Sequence, residues 1–142
     1  MSDNLDSFNK FTAEIFTTLL STFPVPQYIS YEKFDAKLPD DYWSNINSPE
    51  AKAAMELRSV VEGTFKFLEE NGYIILNSGQ DGFSNVRLTE KAMVALNMKP
   101  AALGGDETVG ERIMSAVKEG TPGVLAGAVT NLLTLGINVL TQ

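Results

Sequence analysis

Apolar residues return every three to four positions at the start of the chain, at Leu5, Phe8, Phe11, Ile15, Leu19 and Phe23, with Phe16 and Leu20 widening the stripe. That spacing predicts an amphipathic helix, closed off by Pro24 and Pro26. Gln27 to Ser30 then reads as a short strand, Tyr31 to Lys37 as a short helix, and the Asp-, Asn-, Ser- and Pro-rich run from Leu38 to Pro49 as a loop. Helical spacing resumes at Ser48 or Pro49, where proline suits the first helical position, and continues to about Asn71. Two stripes share this helix: Ala54, Leu57, Val61, Phe65 and Leu68 form one, and Ala53, Val60 and Phe67 a narrower one at heptad spacing. The narrow stripe fits either a central helix buried on two sides or a protein-protein surface.

Gly72 stops this helix, and Tyr73 to Leu76 and Phe83 to Leu88 form two extended runs around a Gly-rich turn. Thr89 is placed to cap a following helix that reaches Asn97, with Glu90 at its positive end. Thr108 and Glu111 have capping-box spacing, so a further helix is expected to run to Glu119 and end at Gly120. Thr121 and Pro122 begin a last helix that extends to about Leu140. The pattern predicts a mainly α protein with a small β-hairpin: residues 1–98 as one domain, 99–106 as a linker, and 107–142 as a C-terminal helical pair.

Phe67-Leu68-Glu69-Glu70-Asn71-Gly72-Tyr73-Ile74, followed by Val86-Arg87-Leu88-Thr89-Glu90-Lys91, resembles the helix-wing-helix signature of winged helix-turn-helix transcription regulators. The resemblance covers roughly residues 8 to 97 and implies a winged-helix-like domain whose pre-wing helix enters the major groove while the wing touches the backbone. Carried over, the outward positions of the long helix are Lys52, Glu56, Ser59, Glu62, Gly63 and Lys66, with Arg58 at the margin and Arg87 on the wing. Lys52, Arg58, Ser59, Lys66 and Arg87 are therefore the candidate nucleic-acid contacts. The chain departs from the family at Leu38 to Pro49, an insertion of roughly a dozen residues where a turn of about three to four is usual. Ala92 also stands where a glycine often follows the Leu-Thr-x-Lys pattern.

From Gly120 to Gln142 there is no charged residue. Gly123, Gly127, Asn131, Thr134 and Asn138 fall on one side of the last helix, and Leu125, Val129, Leu132, Leu135 and Val139 on the other. The length approaches that of a membrane span, yet Asn131 and Asn138 are costly in lipid and no basic residue follows. A small, weakly polar face suits close helix-helix approach, so these five positions are the candidate dimerisation residues. Packing of the helix in the core, and reversible association with a membrane or an amphipathic partner, remain open beside it.

Composition narrows the chemistry. The chain has 142 residues, 44% of them apolar and 20% charged, with neither cysteine nor histidine. Those absences remove disulfides, thiolate nucleophiles, the usual proton shuttle and most metal sites. The acid pairs Asp40-Asp41 and Asp106-Glu107 lack EF-hand spacing, and Gly104-Gly105 and Gly79 to Gly82 lack the P-loop lysine. No catalytic, cofactor-binding or metal-binding residue is expected. The acidic N-terminal stretch predicts a chain without a cleaved secretory signal, located in the cytoplasm.

Net charge is −7, distributed as −4 over residues 1–48, −2 over 49–72, +1 over 73–100 and −2 over 101–142. Affinity for DNA comes mainly from cations that neutralise phosphates, and no basic stripe exists here. Tyr42 and Trp43, the latter the sole tryptophan, lie in the inserted loop as either a partner-binding anchor or a plug that folds the loop onto the core. The expected function is a non-enzymatic, homodimeric, regulatory winged-helix module that binds another protein. DNA binding as a transcription regulator and membrane association through the C-terminal helix are the alternatives.

Overall fold

A computed structural model describes residues 3–100 and 105–141, with side-chain surroundings given for 4–100 and 105–137. The element order is α1 (Asp3–Thr22), β1 (Gln27–Ser30), 3-10 turns at Tyr31–Phe34 and Tyr42–Ser44, α2 (Pro49–Glu70), β2 (Ile74–Ser78), β3 (Gly82–Leu88), α3 (Glu90–Leu96), α4 (Val109–Glu119) and α5 (Pro122–Thr141). The protein is mainly helical, with one three-stranded antiparallel sheet in the order β1-β3-β2.

Helix boundaries follow local chemistry. Ser48 Oγ accepts from the Ala51 N–H at 3.1 Å, with Pro49 at the first helical position of α2. Thr89 Oγ1 accepts from Ala92 N–H at the start of α3 and donates to the Gly72 carbonyl at 2.6 Å, so the cap also ties α3 to the end of α2. Thr108 and Glu111 form a reciprocal capping box on α4, and Gly120 ends that helix at a φ of 70°. The Glu111 carboxyl is held below its usual value by the Thr108 backbone N–H, and its pairing with Thr108 explains why the sequence motif works.

The expected helix over Tyr31 to Lys37 is instead a single 3-10 turn, because Asp35 turns left-handed at a φ of 58° and ends it. β3 carries one extra residue relative to both neighbours, between Ser84 and Val86, with Asn85 at a φ of 54°. This bulge re-phases the strand. Phe83 points inward, Ser84 and Asn85 outward, and Val86 and Leu88 inward again. Gly82 lies so close to β1 that a Cβ there would press on the Ile29 carbonyl oxygen and sit 2.7 Å from Ser30 Cα.

The centre of the molecule is α1, not α2. Phe11, Thr12, Ala13, Ile15 and Phe16 are all buried, because α1 packs against α2, α4, α5 and β3 together. Its ends outrun those neighbours, which leaves Leu5 exposed, and Phe23 falls beyond the helix and is exposed as well. The broad stripe of α2 buries Val61, Phe65 and Leu68, whereas in the narrow stripe Ala53 is exposed, Val60 packs half-buried against the core, and Phe67 is 41% exposed and met edge-on by Phe8 at 5.3 Å. The second side of α2 is thus only partly covered.

The helical pair joins the same hydrophobic core as residues 3–98: Val109, Ile113, Ala116, Leu125, Val129 and Leu132 are all buried in it. The linker expected at 99–106 includes 101–104, which lie outside the described residues, and on either side of them Gly105 N–H donates to Pro100 O at 3.2 Å and Val109 N–H to Met98 O at 2.9 Å. Gly136 faces Tyr73 so closely that any Cβ would overlap the phenol, whose Oη donates to the Leu133 carbonyl at 2.9 Å. Among the described residues no helix is long and apolar enough to cross a membrane.

Candidate functional site

Beside the sheet, an open cleft of about 770 Å³ is walled by β1, the inserted loop, the N-terminal half of α2 and the β2–β3 turn. Strand alternation explains its β1 wall: Ile29 enters the core, so Tyr28 and Ser30 face outward. Tyr31 closes the inner end, buried and in contact with Phe83 at 5.4 Å. The turn is tethered to this end, since Tyr31 N–H donates to Asp81 O at 3.0 Å.

The two loop aromatics divide the roles considered for them. Tyr42 is 6% exposed and pins the loop to the body, whereas Trp43 is 79% exposed at the cleft wall, braced edge-on by Tyr42 at 4.9 Å. The short Tyr42–Ser44 turn makes the split, because consecutive residues of a tight turn point in different directions. Asp41 accepts from Asn45 Nδ2 at 2.8 Å and holds that turn from below. Tyr42 is accordingly a support and Trp43 the accessible group.

Arg58 does not extend into solvent as a nucleic-acid contact would. Its guanidinium lies 3.9 Å from the Tyr31 ring centroid and donates to the Gln80 carbonyl at 2.5 Å, fastening the β2–β3 turn to α2. Burial raises the Tyr31 phenol above its usual pKa; Glu62 adds to the rise and Arg58 opposes it. Lys52 and Ser59 are exposed on the outer face of α2, and Lys66 is partly covered there with Glu69 at 3.9 Å; Glu56, Glu62 and Gly63 share that face. Arg87 is exposed on β3 opposite Ile75, in another element, and Arg58 is turned inward. The cations expected to read DNA are therefore interleaved with carboxylates rather than gathered.

On α5, Gly123, Gly127 and Thr134 are exposed and Asn131 is half-buried, all outside the buried Leu125, Ala128, Val129 and Leu132 face. The side chain of Asn138 lies outside the described residues. A second, smaller apolar groove runs between Phe67, Tyr73, Leu133 and Ile137, with Lys91 Nζ placed 4.2 Å over the Tyr73 ring. Among the described residues no group of three or more acids gathers to ligate a metal, and Glu107 pairs with Arg112 at 3.7 Å.

Tyr28, Glu32 and Asp81 join the cleft without any warning from sequence spacing. Alternation around Ile29 could have shown that Tyr28 faces outward, but only the fold brings it to the same cleft as Trp43. No protein-family model, curated protein or solved structure matches the chain.

Proposed function

We propose that this chain is a non-enzymatic, regulatory interaction module with a winged-helix-like body, and that it docks a protein partner in the cleft beside Trp43. The observation that carries this reading is Trp43 itself, 79% exposed on a turn that Tyr42 and Asp41 hold in place. A large ring held in water contributes little to folding and offers a rigid anchor to a partner. The element order and the β1-β3-β2 sheet support the winged-helix-like part of the reading. A cytoplasmic setting accords with a chain that has no cysteine.

Panning a random peptide display library against the intact chain and against Trp43→Ala tests the docking site. Selected peptides should shift the emission of the sole tryptophan and bind Trp43→Ala at least about tenfold more weakly. Peptides that bind both proteins equally would overturn the reading.

Homodimerisation through the outer face of α5 belongs to the same proposal. Gly127 lies inside a helix, where glycine costs about 0.5–1 kcal/mol relative to alanine, yet nothing lies within 4 Å of where its Cβ would be. Glycine thus has no packing role there within one protomer and permits a second helix to come close. In sedimentation, the intact chain is expected to form a dimer at micromolar concentration and Gly127→Arg a monomer with unchanged melting. A monomeric intact chain sinks the dimer. Truncation before Gly120 is a poor test, since it also strips Leu125, Val129 and Leu132 from the core.

DNA binding is the second reading, and the same topology favours it. Its cations are opposed by Glu56 and Glu62, so affinity for genomic fragments near physiological salt should be weak and should rise in Glu56→Lys with Glu62→Lys. Tight wild-type binding with a steep salt dependence would place this reading first.

A further inference from the structure

We infer that the partner segment taken by the Trp43 cleft is an extended basic peptide, one that lays an arginine or lysine side chain among the cleft's aromatic rings and carboxylates. This inference rests on the docking site proposed above and adds its ligand chemistry.

The walls of the cleft are acidic on balance. The segments that wall the cleft, residues 28–43, 55–62 and 80–81, carry seven acids and three bases. Of those bases, Arg58 is occupied by the Gln80 carbonyl and the Tyr31 ring, and Glu62 stands one turn further along α2. Glu32 and Asp81 line the cleft itself beside Lys37 and Arg58, and among the described residues neither carboxylate forms an ion pair. Asp40 and Asp41 flank the Trp43 turn. A cationic side chain entering here meets two carboxylates outside any ion pair, within walls whose acids outnumber their bases, while an acidic one meets net repulsion.

Two open aromatic rings also favour a cationic side chain. Tyr28 is 60% exposed and Trp43 79%, and both line this one space. Aromatic faces attract a guanidinium or ammonium group, as Arg58 on Tyr31 already shows within the protein. Aromatic grooves also suit an extended backbone, which loses little conformational entropy on binding. The cleft is open rather than enclosed and runs between a strand, a turn and a helix, so it accommodates a chain passing through.

Three short synthetic peptides test this on the intact protein: an Arg-Pro repeat, its Glu-Pro counterpart and its Gln-Pro counterpart. Emission of Trp43 and calorimetry give the affinities. The Arg-Pro peptide should bind saturably and shift the emission, the Gln-Pro peptide should bind about tenfold more weakly, and the Glu-Pro peptide should not bind. Glu32→Gln with Asp81→Asn keeps side-chain shape and should weaken Arg-Pro binding by about tenfold, with far-ultraviolet dichroism and melting unchanged. Raised salt should weaken it as well.

Equal binding of the Gln-Pro or Glu-Pro peptide would overturn the inference and leave the docking site standing with a different ligand. Failure of all three peptides, while a panned peptide still binds in a Trp43-dependent way, would do the same. Equal binding of the Arg-Pro peptide to the intact chain and to Trp43→Ala would also overturn it, because the attraction would then be diffuse. If panning yields no Trp43-dependent peptide and none of the three binds, the docking reading falls too.

Discussion

Aromatic rings serve two opposite ends in this molecule. In the sealed region Phe65 stacks on Phe83 at 4.1 Å, and Phe34 meets Phe65 and Phe11 edge-on at 5.9 and 5.2 Å, all four buried. At the cleft Tyr28 and Trp43 remain largely in water, although they too are large aromatic rings and lie within ten residues of Phe34 in sequence. The difference lies in neighbours rather than in residue type. The sealed rings occur where α1, α2 and the sheet converge, whereas the exposed rings stand on the outer face of an edge strand and on a short turn. Rings of the first kind should matter to stability and those of the second kind to binding.

The largest test is Phe65→Ala, which leaves a void among packed rings and should cost about 3–5 kcal/mol in denaturant unfolding. A loss below about 1 kcal/mol would erase the distinction between the regions. Gly82→Ala probes the strand on which both regions depend. Its Cβ would meet backbone atoms of Ile29 and Ser30, which cannot yield as a flexible side chain can, so a loss of about 1–3 kcal/mol is expected. Because β1 carries Tyr28, the same change should also broaden the NMR signals of the cleft.

Thr12→Val sharpens the picture from inside the sealed region. The Thr12 hydroxyl is fully buried with no hydrogen-bond partner among the described residues, so an isosteric methyl should stabilise by about 1 kcal/mol. Unchanged or lower stability would mean that the hydroxyl is satisfied.

Glu14, on α1 beside a small recess formed with Val117, Gly120 and Leu125, adds a pH dependence. Burial raises its carboxyl above the usual value, against the pull of Lys10 and Lys33. A group raised in this way binds its proton more tightly when folded, so its contribution favours the fold at low pH. That contribution is lost as pH rises from the ordinary carboxylate value through the raised one. Glu14→Gln should therefore melt slightly higher than the intact chain near neutral pH, and the gap should close on acidification. A gap that widens in acid would contradict the burial assignment.

Trp43→Ala should have the smallest effect on stability, within about 0.5 kcal/mol, because the ring is mostly in water. A loss as large as that of Phe65→Ala would place Trp43 in the sealed region and remove it from the docking site.

Much of the fold was legible in the residues. Ser48 with Pro49, Thr89, the Thr108–Glu111 pair and Gly120 mark helix ends through interactions that reach only a few positions, so local sequence is enough to set them. The bulge in β3 also has a local trace: the inward positions Phe83, Val86 and Leu88 are spaced three and then two apart. The candidate site was less legible. Tyr42 and Trp43 were distinguishable as an aromatic pair in a polar loop, but not as one buried and one exposed ring.

By itself, the sequence determined the types of the long helices and the strands, their caps and the apolar stripe each helix can bury, because periodicity and capping are short-range physics; the short 3-10 turns at Tyr31–Phe34 and Tyr42–Ser44 were not fixed in this way. Only tertiary structure decided which elements surround which. It placed α1 rather than α2 at the centre, drew α4 and α5 into the common core, and turned Arg58 from a candidate nucleic-acid contact at the margin of α2 into the clasp of the β2–β3 turn. It also brought Tyr28, Trp43 and Asp81, from three separate segments, into one cleft. Such choices depend on contacts between residues far apart in the chain, where burial is shared among partners that no single stretch of sequence specifies.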